Sequence, residues 1–102
     1  MQKKIYGYVR VSTREQNADR QMASMREMDV PEENIYLDRM SGKDFNRPRY
    51  RKLLRKLDSD SLLYIHSIDR LGRNYTEIQE EWRRITKRKG ADIVVIDACV
   101  II

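Results

Sequence analysis

A chain of 102 residues is long enough for one domain with a single modest core and too short for two. Its 21 Lys plus Arg against 16 Asp plus Glu leave a formal charge of +5, and Arg outnumbers Lys by 14 to 7. The planar guanidinium matches phosphate oxygens in pairs, so the balance points to nucleic acid rather than a membrane surface. No apolar run approaches the roughly 20 residues of a membrane span, and the amino terminus lacks a signal-peptide core, so a cytoplasmic protein is expected. The single Cys99 excludes an internal disulfide or a cysteine metal cluster and reads as a small buried hydrophobe.

From Ile5 the side chains alternate, with Ile5, Gly7, Val9 and Val11 on one parity and Tyr6, Tyr8 and Arg10 on the other, which predicts a strand with two distinct faces. It ends on Ser12, where two capping boxes overlap, Ser12 with Glu15 and Thr13 with Gln16, announcing a helix. A hydroxyl thus stands at the carboxyl end of a strand, before backbone amides that attract anions. Taken alone, Ser12 reads as a helix cap. Ala18, Met22, Met25 and Met28 fall on one face of the helix, which breaks near Val30-Pro31, and the methionines read as core. Ile35-Tyr36-Leu37 is a second short strand with Asp38 at its end, and residues 39–48 form a loop longer than most. Tyr50, Leu53, Leu54 and Leu57 mark a second amphipathic helix whose other face carries Arg49, Arg51, Lys52, Arg55 and Lys56. Leu62 to Ile65, with Ile68 beyond, reads as a third, buried strand that delivers Asp69 to Asn74 at its carboxyl end. Tyr75, Ile78, Trp82 and Ile85 lie on the core face of a third helix, stopping at Gly90, and Asp92 to Ile96 is the final strand.

Strands interleaved with helices make an α/β domain with a small, mostly parallel sheet of four or five strands. Parallel strands put their carboxyl ends on one edge, so Ser12, Asp38 with its loop, and the Asp69 to Arg73 segment are expected to converge there.

Tyr8-Val9-Arg10-Val11-Ser12-Thr13 with Gln16, Ser41-Gly42 leading to Asn46-Arg47-Pro48, and above all Ile68-Asp69-Arg70-Leu71-Gly72-Arg73 together resemble the catalytic domain of the serine recombinases, the resolvase and invertase family. The resemblance spans nearly the whole chain. It implies a resolvase-like fold and site-specific DNA breakage and rejoining, with Ser12 as the nucleophile that takes the 5′ phosphate and frees a 3′ hydroxyl. It further implies catalytic roles for Arg10, Arg47, Arg70 and Arg73, which match the family's arginines. Gln16 would orient the serine or the phosphate, and Asp69 and Asp38 would hold the guanidiniums. Fixed cations suit a phosphodiester transition state, which gathers charge on its non-bridging oxygens.

Each of these residues also has an ordinary structural alternative. Arg10 reads as a surface strand residue, Arg47 as packing its stem over the next helix, Arg73 as a cap before Tyr75, and Asp69 as a helix-start acid. Convergence of all of them at strand ends favours the site. The general acid and base stay open. His66, the one histidine, reads as a bystander by strand position, leaving Asp69 or an arginine. No cofactor or metal is expected, since a site crowded with arginines has less need of a cation.

The resemblance also implies that a long dimerisation helix and a DNA-binding region follow the catalytic domain, so residues 1–102 read as an amino-terminal piece. Alone it is expected to bind DNA weakly and in a salt-sensitive way, and to recombine little. The partners implied are double-stranded DNA and further copies of the chain, as a dimer and then a tetramer in the synapse. Two alternatives remain: a catalytically silent DNA-binding or regulatory relative, and a flavodoxin-like phosphate-binding domain. The second lacks a Gly-rich loop, since the four glycines are scattered.

Overall fold

A computed structural model describes residues 3–12, 18–40, 47–97 and 100–101. Its centre is a five-stranded sheet in the order β2-β1-β3-β4-β5, built from β1 (Lys4–Ser12), β2 (Ile35–Met40), β3 (Ser61–Ile65), β4 (Asp92–Val95) and β5 (Val100–Ile101). The first four strands are parallel, and β5 adds antiparallel at the edge. Three helices connect them: α1 (Ala18–Glu27), α2 (Pro48–Lys56) and α3 (Tyr75–Arg83), the last running on into a π turn over Arg84–Arg88. The small, mostly parallel sheet with flanking helices expected from the strand and helix alternation is therefore present.

Both parities of β1 are buried, because helices cover both sheet faces. Tyr6 and Tyr8 join Tyr50, Leu53, Leu63, Ile65, Ile85 and Ile93 in the larger core under α2 and α3, with Trp82 packed partly buried against it. Val9 and Val11 join Ala18, Met25 and Val30 in the smaller core under α1. The chain leaves β1 toward β2 on one side and returns to β3 on the other. The order reverses between β1 and β3, the place where open α/β sheets leave a crevice at their carboxyl ends.

Several local expectations are corrected. Asp38 lies inside β2 rather than at its end, with its Cα in register with Arg10, because pairing with β1 continues to Ser12 and Met40. A buried carboxylate is tolerated there because three protein donors meet it, as described below. Ile68 belongs to a 3-10 turn over Ile68–Leu71 and is 46% exposed, so the strand stops at Ile65. Tyr75, at the first position of α3, is 74% exposed rather than on the core face, its hydroxyl accepting from Gln79 Nε2 at 3.0 Å one turn along. Met28 is also exposed. It lies past the end of α1, where Val30 N donates to Met25 O (3.1 Å) and Asp29 N to Arg26 O (3.0 Å), with Asp29 at φ 59°. This is a Schellman ending with Asp in the left-handed position, and it buries Val30 on Met25. Cys99, and the capping boxes expected at 13–16, lie outside the described residues.

Candidate active site

The residues gathered at the β1/β3 crevice come from four pieces of chain. β1 brings Tyr8, Arg10 and, as its last residue, Ser12. The approach to α2 brings Arg47, whose neighbour Pro48 opens the helix with the one residue that has no N–H to satisfy. The 3-10 turn after β3 brings Asp69 and Arg70, and the loop into α3 brings Arg73.

The turn over Ile68–Leu71 is the anchor. A single short turn cannot satisfy its own carbonyls, so they accept from side chains. Arg10 Nη2 donates to Asp69 O at 2.8 Å, and Arg47 Nη1 to Arg70 O at 3.5 Å. Two guanidiniums from separate elements therefore meet the peptide bearing a third. Burial pushes the Arg10 guanidinium below its ordinary pKa, and among the charges around it those of Arg47 and Arg70 act in the same direction. Three positive groups thus lie close enough to repel one another, an arrangement that an anion relieves. Arg70 Nε is buried without a hydrogen-bond acceptor among the described residues, and an Asp69 carboxylate oxygen lies 3.9 Å away.

Arg47 is 7% exposed and stacks its guanidinium over the Tyr50 ring at 4.0 Å from the centroid. Below it, the Asp38 carboxylate accepts from Arg49 N (3.1 Å), Tyr50 N (3.0 Å) and the Tyr8 hydroxyl (3.0 Å). Asp38 is a cap supplied from a neighbouring strand: it satisfies two of the amides that α2 leaves open and complements its dipole. Tyr8 and Tyr50 pack ring to ring at 5.0 Å. Burial first, then the Asp38 charge, pushes the Tyr8 phenol well above its ordinary pKa, with Arg47 acting against them. Tyr8 is thus part of the support of Arg47. Its parity with Arg10 carried that signal, although its aromatic ring argued for plain core.

The two carboxylates make different contacts, and that of Asp69 lies 3.9 Å from Arg70 Nε. Asp38 accepts from two amides at the N-terminus of α2 and from the Tyr8 phenol, directly beneath Arg47. Asp69 holds Arg10 through its backbone carbonyl, while its exposed carboxylate accepts from the Ser67 hydroxyl. Arg73 donates from Nε to Glu77 Oε1 at 3.1 Å and is half-exposed. Asn74, rather than Arg73, caps α3, its Oδ1 accepting from Glu77 N at 2.9 Å. Gly72 is required between them, since a Cβ there would stand 2.6 Å from Glu77 Cβ and 2.9 Å from backbone atoms of Glu77 and Ile78.

Ser12 is in register with Met40, two residues beyond Arg10 on β1. Gln16, Ser41, Gly42 and Asn46 lie outside the described residues. Gln21 escaped notice in the sequence: 3% exposed, it donates from Nε2 to Arg10 O at 3.4 Å and ties α1 to β1 beside the site. His66 is half-buried. It lines a cavity of about 980 Å³ with Asp69, Arg70, Tyr75, Ile78 and Trp82. Among the described residues no group of three His, Cys, Asp or Glu side chains is placed to hold a metal ion, and no helix is long and apolar enough to cross a membrane.

The family model "Resolvase, N terminal domain" matches residues 5–100. The Tn501 transposon resolvase of Pseudomonas aeruginosa is 34% identical over 88 residues, covering 86% of this chain and 45% of its own length. A DNA-invertase of Enterobacteria phage P7 is 41% identical over 70 residues, covering 69% of this chain and 37% of its own. The chain therefore spans less than half the length of these relatives. The crystal structure of the N-terminal catalytic domain of TP901-1 integrase superposes with a TM-score of 0.72 over 97% of this chain and 81% of that one, at 21% identity, which shows a shared fold. On the family match and the resolvase identity together, this chain belongs to the resolvase N-terminal domain family.

Proposed function

We propose that this chain is the catalytic unit of a site-specific DNA recombinase acting in the cytoplasm, with double-stranded DNA as substrate and no cofactor or small-molecule substrate. The observation that carries the reading is the convergence of Arg10, Arg47 and Arg70, from three separate pieces of chain, around one turn at the sheet's switch point, with Arg10 and Arg47 donating to the backbone carbonyls of that turn. In the proposed reaction Ser12 Oγ attacks a backbone phosphorus. The Oγ–P bond forms as the Ser12 hydroxyl gives up its proton, the P–O3′ bond breaks, and the protein keeps the 5′ phosphate as a phosphoserine ester while the 3′ oxygen takes up one proton, so the step is neutral in protons. After strand exchange the 3′ hydroxyl attacks the ester and releases Ser12, so no external energy source is needed. The arginines stabilise the doubly charged pentacoordinate phosphorus through fixed donors. Arg73 joins them from the loop into α3, Gln16 orients the serine or the phosphate, and Asp38 and Asp69 position the cluster through α2 and the turn. Exchange requires two duplexes, so dimers that pair into a tetramer belong to the same proposal.

The test mixes the protein with duplex DNA carrying its recombination site, quenches in denaturant and looks for a covalent protein–DNA band. Wild type should give the band and Ser12→Ala should lose it. Site binding without any adduct would refute strand cleavage and make the cluster a phosphate-holding surface in a regulatory relative.

A further inference from the structure

Outside the site, the seam between α2 and the π turn forms a groove of about 440 Å³ lined by Arg51, Leu54, Arg55, Arg84, Arg88 and Lys89, five cations and one leucine, with no carboxylate in its wall. A smaller cavity of about 250 Å³ shares Arg51, Leu54 and Arg84 with it and reaches Arg47. The groove is thus continuous with the arginine cluster. The two acids in the connecting cavity are already engaged: Glu77 accepts from Arg73 and Asn74, and Glu81 accepts from the Tyr50 hydroxyl (2.6 Å) and lies 3.4 Å from Arg84 Nε.

Two features of the backbone aim the cations. Arg51 and Arg55 stand four residues apart along α2, a step of about 6 Å, less than twice the roughly 3.4 Å of axial rise per phosphate on one DNA strand, and Arg47 sits immediately before the helix. Across the seam the helix widens at Arg84, where Lys89 N donates to Arg84 O at 3.0 Å, a five-residue turn. In an α-helix Lys89 would lie about 140° around from Arg84; the π turn stacks it above Arg84 instead, so that Arg84, Arg88 and Lys89 all line the groove. Such single π turns recur at functional positions.

We propose that this groove is a second phosphate-binding track, which holds the DNA backbone flanking the scissile phosphate as it leaves the active site along α2. The proposal rests on reading the chain as a recombinase catalytic unit, and its test is arranged so that the two fail separately. Binding of a fluorescent DNA duplex is titrated against salt with the Ser12→Ala protein, which needs no cleavage. Each phosphate contact contributes about 0.9 to the slope of log K against log salt. Arg55→Gln, Arg88→Gln and Lys89→Gln together should lower the slope by about 2–3, while Arg55→Lys, Arg88→Lys and Lys89→Arg together should restore it, which separates charge from folding. An unchanged slope in the glutamine variant overturns the track, whatever the adduct assay gives. A triple variant that keeps its DNA slope and loses binding to polyglutamate would also overturn it, in favour of an acidic protein partner. A normal slope change in a protein that never forms the Ser12 adduct would sink the cleavage reading and leave the track standing.

Discussion

Tyr8 shows how one side chain carries two readings. Its ring lies fully buried against Tyr50, as its place in an apolar alternation suggests, while its hydroxyl completes the shell of Asp38 beneath Arg47. A hydrogen bond to a charged group contributes about 1.5–3 kcal/mol, so Tyr8→Phe, which removes the donor to the Asp38 carboxylate, should destabilise the domain by roughly that amount near pH 7. The larger signature is in alkali. The native phenol is held protonated above the ordinary value near 10, as is Tyr50, mainly by burial. Above pH 10 the unfolded chain then releases protons that the native state keeps, so stability is full below that pH and falls as pH rises beyond it. Urea midpoints from pH 8 to 11 should show the fall, and Tyr8→Phe should make it shallower while leaving the Tyr50 part. A slope identical to wild type would contradict the assignment. Arg10, Arg70 and Asp69 were legible as candidate site residues from their motif alone. What each atom does was not, because carbonyl acceptors such as Asp69 O and Arg70 O are common to every residue type.

At the scale of elements, the site depends on where short pieces of chain start and stop. α3 begins at Asn74 because a side-chain acceptor meets the Glu77 amide, and it begins so close to Gly72 that no side chain fits between. Gly72→Ala would drive a methyl into backbone atoms that cannot rotate away, so α3 or the arginine turn must shift. Overpacking of this kind costs about 1–3 kcal/mol. The expected outcome is a lower urea midpoint together with a lower yield of the covalent adduct, since Arg70 and Arg73 flank the glycine. A midpoint loss with an unaltered adduct yield would mean that α3 moves and the arginines do not. α2 illustrates the limit of reading from periodicity. Its apolar face was evident from Tyr50, Leu53 and Leu57, but its cap is supplied from β2, ten residues back from its first helical residue, and no local spacing reports such a partner. The π turn is equally silent in the sequence, since Arg84 to Lys89 contains no glycine or proline that would mark a departure from the α-helix.

For the molecule as a whole, two cores share one strand. β1 sends Tyr6 and Tyr8 into the core under α2 and α3 and Val9 and Val11 into the core under α1. In a domain of this size, whose total stability is of the order of 5–15 kcal/mol, that sharing should make unfolding a single transition. Leu53→Ala and Met25→Ala, one in each core and both fully buried, should each cost about 2–5 kcal/mol. Each should lower the midpoint seen by far-ultraviolet circular dichroism and by Trp82 fluorescence equally. Transitions that separate in the Met25 variant would show that the α1 side unfolds on its own.

The alternation in β1, the apolar faces of α2 and α3 and the charge balance were enough, without coordinates, to determine an α/β domain with a basic strand edge. These are local regularities, and a parallel sheet turns them into one edge by geometry alone. The motif order identified the family for the same reason: it needs only which residue follows which. Tertiary structure alone decided that Asp38 serves α2, that the Asp69 and Arg70 carbonyls gather Arg10 and Arg47, and that a basic groove continues beyond Arg47. Each of these joins residues far apart in the chain, through backbone atoms or a widened turn, and such contacts depend on position in space rather than on side-chain type.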